Sequence, residues 1–225
     1  MIRAVFLDYT GTIIQFRGLD IDEMFKRVVE HSSLKSKDEA ITWWLEKLRE
    51  VQRNCYGDNF KTEDELCMDI LDIADEELGL KMDHNVFHTL MQNFWMYAPL
   101  YNDVNEFFDL CPVPIYILMD NSGDYAKVGL RRNRLHAHGI ISGEDVKAYK
   151  PRKEIFEKAL EIADCKPDEV VHIGDDLEGD VQGAIASGIQ PILLDRKSNH
   201  RDAKCKRVRS LIEVLPYINQ VNSEK

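Results

Sequence analysis

The fold is decided by the stretch Ile2-Arg3-Ala4-Val5-Phe6-Leu7-Asp8-Tyr9-Thr10-Gly11-Thr12. Ile2 to Leu7 is a short, mostly apolar run of strand-forming residues, and Asp8 and a Gly11-containing turn close it. Such a run predicts a strand buried on both faces, which is the signature of a parallel sheet. From about Leu19 to Tyr97 the character changes. Asp22–Val29, Ile41–Leu48, Leu66–Ala74 and Val86–Met91 carry apolar residues at helical spacing, and no proline interrupts them before Pro99. After Pro99 strands and helices alternate. Strands are predicted over Val113–Met119, Gly139–Ile141, Val170–Ile173 and Pro191–Leu194, with helices over Tyr125–Leu135, Glu154–Ala163, Asp180–Ser187 and Ser210–Ile218. Pro151 precedes the second of these helices and Gly188 follows the third, as start and stop signals should. The alternation implies βαβ units in an α/β doubly wound parallel sheet. The distance from the first strand to the others makes the helical stretch an insertion.

Composition is compatible with this plan. The 225 residues are 44% hydrophobic and include three Trp and eight Tyr, enough for a buried core. Lys and Arg number 29 against 40 Asp and Glu, a net charge of −11. That balance disfavours nucleic acid and anionic membranes as partners. The five cysteines, Cys55, Cys67, Cys111, Cys165 and Cys205, form no CxxC pair, so a reducing, cytoplasmic setting is expected. The opening apolar run is too short for a signal peptide or a membrane span.

In doubly wound sheets the ligand site forms at the carboxyl ends of the strands. Three predicted strand ends carry polar groups: Asp8, then Asp120-Asn121-Ser122, then Asp175-Asp176, while Lys150 lies before Pro151. Several carboxylates and one lysine at a single rim suit a hard cation together with an anion.

With these residues in place the chain resembles the haloacid dehalogenase (HAD) superfamily. Asp8-Tyr9-Thr10-Gly11-Thr12 is similar to its first motif, D-x-D-G-T, and Lys150 to the lysine of its third. Gly174-Asp175-Asp176-Leu177-Glu178-Gly179-Asp180 matches its fourth, GDxxxxD. The resemblance implies a Rossmann-like core from residues 1–16 and 99–225, with a helical-bundle cap from 17–98. It also implies a Mg²⁺-dependent phosphatase acting on a small phosphorylated substrate. Asp8 is then the nucleophile that forms an aspartyl-phosphate, and Lys150 the charge partner of nucleophile and phosphoryl group. The implied metal ligands are Asp8, the Thr10 carbonyl, Asp175 and Asp180, and Thr12, Gly11, Asn121, Ser122 and Lys150 are implied to hold phosphate.

Two positions depart from the pattern. Family phosphatases carry a second Asp where this chain has Thr10, an acid/base worth ~10²–10⁴ in rate. The hydroxyl that usually ends the second strand is replaced by Met119 or Asp120. Two alternatives therefore accompany the phosphatase: a metal-independent dehalogenase-like hydrolase, and a catalytically weakened HAD-like binding or regulatory protein.

Other conspicuous residues have plainer expectations. Asp176 and Glu178 should start a helix, and Trp43 and Trp44 should pack within the helical segment. His84 and His88 have no acidic partner in the local pattern and are expected at the surface or in packing. Lys147 and the basic run Arg196, Lys197, Arg201, Lys204, Lys206, Arg207 and Arg209 are expected to be solvated.

Overall fold

A computed structural model describes residues 1–223. Its centre is β1 (Ala4–Asp8), in which all five residues are buried. Further along the chain come β2 (Ile115–Met119), β3 (Gly139–Ser142), β4 (Val170–Gly174), β5 (Gln190–Leu194) and β6 (Lys206–Val208). They form one parallel sheet in the order β3-β2-β1-β4-β5-β6. The chain winds outward on one side from β1 to β3, then returns to the other side of β1 with β4. That reversal opens a crevice between the carboxyl ends of β1 and β4, the place where such sheets hold ligands. Asp8 lies opposite Leu118 of β2, and Leu7 opposite Ile173 of β4. The register therefore sets Asp8 beside the turn that follows Gly174.

Between β1 and β2 run α1 (Leu19–Glu30), α2 (Lys37–Gln52), α3 (Glu63–Leu78), α4 (His84–Tyr97) and α5 (Val104–Leu110). The first four bury Met24, Phe25, Trp44, Ile70, Leu71, Phe87 and Phe94 against one another, as the helical spacing predicts. The two crossings to this segment run side by side: Gln15 N–H donates to the Pro99 carbonyl at 2.8 Å, and Tyr101 N–H to that of Ile13 at 3.1 Å. The remaining helices are α6 (Gly123–Arg132), α7 (Gly143–Val146), α8 (Lys153–Ala163), α9 (Gly183–Ala186) and α10 (Leu215–Ser223). No helix among the described residues is long and apolar enough to cross a membrane.

Three elements are absent from the sequence-based expectation, α5, α7 and β6. Only three residues long, β6 places Lys206 and Arg207 on the sheet edge, where charge discourages pairing with another chain. The basic run is thus more than a solvated tail. Arg196 makes a bidentate pair with Asp103 at 2.8 and 3.0 Å and lies over the Tyr101 ring, and Arg207 pairs with Asp195. The histidines differ too. Folding brings Asp72 and Asp75 to His84, and Asp64 to His88, across turns of α3 and α4 that local spacing does not reveal.

Helix α6 fits closely against α4 because Gly129 has no side chain: a Cβ there would strike the Tyr9 hydroxyl and approach the Met96 carbonyl. Across the same seam Tyr125 OH donates to Asp64 at 2.8 Å, Gln92 Nε2 donates to Asp64 at 2.8 Å, and the Trp95 ring stacks on Tyr125. Leu7, fully buried at the middle of the sheet, is the sharpest test of β1 as the core strand. Leu7→Ala should cost about 2–5 kcal/mol, seen as a lower urea midpoint with an unchanged slope in equilibrium unfolding.

Candidate active site

The crevice at the reversal holds a compact set of buried charges. Lys150 Nζ donates to Asp8 Oδ1 at 2.6 Å and to Asp180 Oδ1 at 2.8 Å. Asp8, Asp175 and Asp180 bring carboxylate oxygens within 4.8 Å of one another. Each member has its own anchor. Asp8 is fixed by the sheet. Lys150 is clamped through its backbone, whose N–H donates to Asp120 Oδ1 at 2.8 Å. Asp180 lies in a π-helical turn, Leu177–Gln182, that Asp176 caps by accepting from the N–H groups of Glu178 and Gly179. Its Oδ2 also accepts from the Asp176 N–H at 3.1 Å.

Gly11 lets the loop after β1 pass over Asp175. Its φ is +91°, a region that favours glycine, and a Cβ would collide with the Asp175 carboxylate. Thr12 is fully buried, its hydroxyl 3.5 Å from Asp175 Oδ1, and its carbonyl accepts from Arg196 Nη2 at 3.0 Å. Thr10, Gly11, Met119, Asp120 and Asn121 line the cavity above the charges. Asn121 is buried and its Nδ2 has no hydrogen-bond partner. Ser122 is outside the lining. Of the two polar residues expected to replace the missing hydroxyl, Asn121 reaches the cavity. Asp120, the residue that would have set negative charge against an anion, is occupied by the Lys150 backbone.

Burial dominates the electrostatics. It pushes the Asp8 carboxyl well above its ordinary value, with repulsion from Asp180 and Asp175 adding to it against the pull of Lys150. Burial and then Asp180 push Asp175 up to about 7. Burial opposes the charge on Asp180 too, but Lys150 and His172 outweigh it and hold that carboxyl below the usual range. Lys150 is likewise disfavoured by burial, yet Asp180, Asp8 and Asp120 keep its ammonium charged.

His172 was not singled out by sequence reasoning. It is fully buried on β4, with Nε2 at 2.9 Å from Asp180 Oδ1. Burial lowers its pKa, and an ionised carboxylate only accepts, so the neutral ring donates from Nε2. A polar residue inside the buried run Val170-Val171-His172-Ile173 was the available signal. Glu63, from the start of α3, also lines the cavity and had no such signal, because an acid in a first helical turn is ordinary.

The cavity is about 560 Å³. Its floor is the charged rim, and Phe16, Trp44, Leu48, Met91, Phe94 and Trp95 form an apolar wall. Arg49, Arg53 and Arg152 also line it. Arg49 Nη2 pairs with Asp176 at 3.1 Å, joining α2 to the turn that carries Asp180.

The residues fit a hard divalent cation. Three carboxylates against one ammonium leave a formal excess of two negative charges, and Asp8 Oδ2 is buried with no hydrogen-bond partner. Asp8 Oδ2 has no donor among the described residues, and Asp175 Oδ1 accepts from the Thr12 hydroxyl at 3.5 Å. Both Asp180 oxygens, by contrast, already accept hydrogen bonds from Lys150, His172 or the Asp176 N–H.

Comparison with known proteins gives a consistent family. The haloacid dehalogenase-like hydrolase family matches over residues 2–188. The glyceraldehyde 3-phosphate phosphatase of Methanothermobacter thermautotrophicus is 28% identical over 122 residues, 52% of this chain and 51% of that protein. The haloacid dehalogenase-like hydrolase domain-containing protein 2 of Mus musculus is 51% identical over 45 residues, 20% of this chain and 17% of its own. The chain thus spans about half the length, or less, of the curated relatives it matches. Among solved structures, the HAD-hydrolase YfnB of Bacillus subtilis bound to magnesium superposes with a TM-score of 0.78 at 18% identity, covering 97% of this chain and 99% of that one. L-2-haloacid dehalogenase from Xanthobacter autotrophicus gives 0.79 at 18%, with the same coverage. At that identity both likenesses concern the fold alone.

Two outcomes test the electrostatics. Lys150→Met leaves the buried carboxylates uncompensated and should destabilise by about 3–5 kcal/mol in chemical denaturation. In chelator, native Asp175 keeps a proton from about pH 4 to 7 that the unfolded chain has released, so this contribution to stability is lost as pH rises through about 7. Asn cannot titrate. Asp175→Asn should therefore gain on the native protein in melting temperature between pH 5 and 8, by differential scanning calorimetry; the opposing effect of His172 is common to both proteins.

Proposed function

The chain belongs to the haloacid dehalogenase-like hydrolase family, and we propose that within it this protein is a magnesium-dependent phosphatase of small phosphate monoesters. The buried Asp8–Lys150–Asp175–Asp180 set carries the proposal, because its charge excess suits one divalent cation. The phosphatase relative from Methanothermobacter supports the choice of phosphate esters.

In this reading the Asp8 carboxylate attacks phosphorus, the ester P–O bond breaks towards the alcohol, and water later opens the aspartyl-phosphate to phosphate and Asp8. Asp8, Asp175 and the Thr10 carbonyl would hold Mg²⁺, with Asp180 direct or through water, and the ion would offset charge on the nucleophile and the phosphoryl oxygens. Lys150 orients Asp8 and pairs with the transferring group. Asn121 Nδ2, free of protein partners, and the N–H groups near Gly11 are the donors offered to phosphate oxygens. The arginines lining the cavity draw an anion into a chain that is acidic overall. Residues 17–98 act as the cap over a core of 1–16 and 99–225, and shield the reaction from water. The unpaired cysteines agree with a reducing, cytoplasmic setting.

The wall formed by Phe16, Trp44, Phe94 and Trp95 favours an alcohol with an apolar body over a polyol. A panel of phosphate esters should show release that requires Mg²⁺, is greatest for aryl and alkyl esters, and is eliminated by Asp8→Asn. Absence of Mg²⁺-dependent release from every ester would refute the proposal. The second reading, a metal-independent dehalogenase, is favoured by Thr10 and by the same apolar wall. Halide release from haloacids that survives chelation would establish it instead.

A further inference from the structure

Phosphate-ester cleavage leaves an alkoxide that needs a proton, and the next step needs a base to activate water. Thr10 has no titratable group for either task. Two carboxyls lining the cavity are unused by the roles assigned so far, Glu63 and Glu178, and of these Glu178 is exposed while Glu63 is buried. Glu63 is 9% exposed and lines the same cavity as Asp8, Thr10 and Lys150. Neither of its carboxyl oxygens accepts a hydrogen bond from a described residue.

Nor is Glu63 needed to start its helix. Thr62 and Glu65 make a reciprocal capping box: the Thr62 N–H donates to Glu65 Oε2 at 2.7 Å, and the Glu65 N–H to Thr62 Oγ1 at 3.2 Å. The start of α3 is also docked on the loop that carries Lys150. Tyr149 OH donates to the Lys61 carbonyl at 2.7 Å, and the Phe60 and Tyr149 rings lie 5.2 Å apart. Glu63, two residues beyond Lys61, thus lines the cavity from a segment docked beside the catalytic lysine.

We propose that Glu63 is the general acid and then the general base of this reaction, supplied by the helical segment in place of the carboxylate missing at Thr10. The inference rests on the phosphatase reading. In the first step the Glu63 carboxylic acid gives its proton to the departing alcohol oxygen as Asp8 takes the phosphoryl group. In the second step the Glu63 carboxylate takes a proton from water, the water oxygen bonds to phosphorus, and the bond from phosphorus to Asp8 breaks. Phosphate, ionised Asp8 and protonated Glu63 result, which closes the cycle.

The surroundings suit an acid that begins protonated. Burial pushes Glu63 up to about 8; Asp120 and Asp64 repel its charge, Glu144 adds to this, and Lys150 opposes them. Cys67 on its own helix and Tyr149 also face it, both held neutral by burial. At neutral pH the proton is therefore present, and the acid limb of activity should fall as pH rises through about 8.

The test compares Glu63→Gln with the native enzyme on two Mg²⁺-supported substrates: an alkyl phosphate and para-nitrophenyl phosphate, whose phenolate leaves without a proton. For the alkyl ester kcat/KM should fall ~10²–10⁴-fold and lose the alkaline limb. For the nitrophenyl ester the first step should change little. A burst of phenolate should precede slow turnover, with phosphorylated protein trapped by acid quench. Glu63→Asp, which keeps a carboxyl, should recover part of the alkyl-ester rate. Equal losses on both esters, or none on either, would overturn the assignment while leaving the phosphatase reading intact. If the native enzyme cleaves neither ester, the phosphatase reading falls and Glu63 loses its role with it.

Discussion

One ammonium, Lys150 Nζ, stands between two buried carboxylates, Asp8 and Asp180, with a third, Asp175, within reach. Groups taken out of water this completely are costly unless every partner is held in place. The surrounding structure meets that requirement. Asp120 clamps the Lys150 backbone, His172 supports Asp180 from beneath, Asp176 caps the turn that presents Asp180, and Arg196 ties down the carbonyl of Thr12. Each contact joins a different strand end or loop to the same point, so the topology of the sheet and the electrostatics of the site are one design.

The helical segment completes the environment rather than the charge set. Its aromatic and aliphatic side chains face the rim and lower the local dielectric, which strengthens every interaction of Lys150 and raises the cost of leaving Asp8 or Asp175 ionised without a counter-charge. It is fastened by polar contacts at the seam with α6, by Tyr149 against Lys61, and by the exposed Arg49–Asp176 pair, which contributes little by itself. Most of the holding force is therefore buried packing.

Legibility in the sequence followed distance along the chain. The run ending at Asp8 is a local pattern, and β1, β2, β3, β4 and β5 all lie where runs of the same kind predict them. Asp8, Lys150 and Asp175 can be gathered from the sequence because the carboxyl ends of parallel strands meet at one rim, and Asp180 through the resemblance of Gly174–Asp180 to GDxxxxD. The short β6, α5 and α7 escaped because each is too brief to show a period. His88 with Asp64, and Arg196 with Asp103 and Thr12, depend on contacts 24, 93 and 184 residues apart, for which no local pattern exists. Asp120 is the instructive residue: its type suggested conflict with an anion, whereas its geometry gives it to the Lys150 backbone.

The fold does not choose between attack on phosphorus and attack on carbon, since a HAD-hydrolase bound to magnesium and an L-2-haloacid dehalogenase both superpose on this chain over nearly its full length. The choice lies in the charge at the rim. Attack on carbon to expel a halide brings one negative charge to the site and distributes it onto a departing ion that water receives readily. A phosphate monoester instead brings a dianion against carboxylates that already repel one another, a repulsion felt across a poorly screened interior. Asp175, pushed up to about 7 by burial and its acidic neighbour, records that strain in its own titration. A carboxylate kept there, with Asp8 Oδ2 left without a donor, makes physical sense where a cation joins the set. In the proposed reading a divalent cation would offset that charge, whereas attack on carbon without a metal would leave it uncompensated.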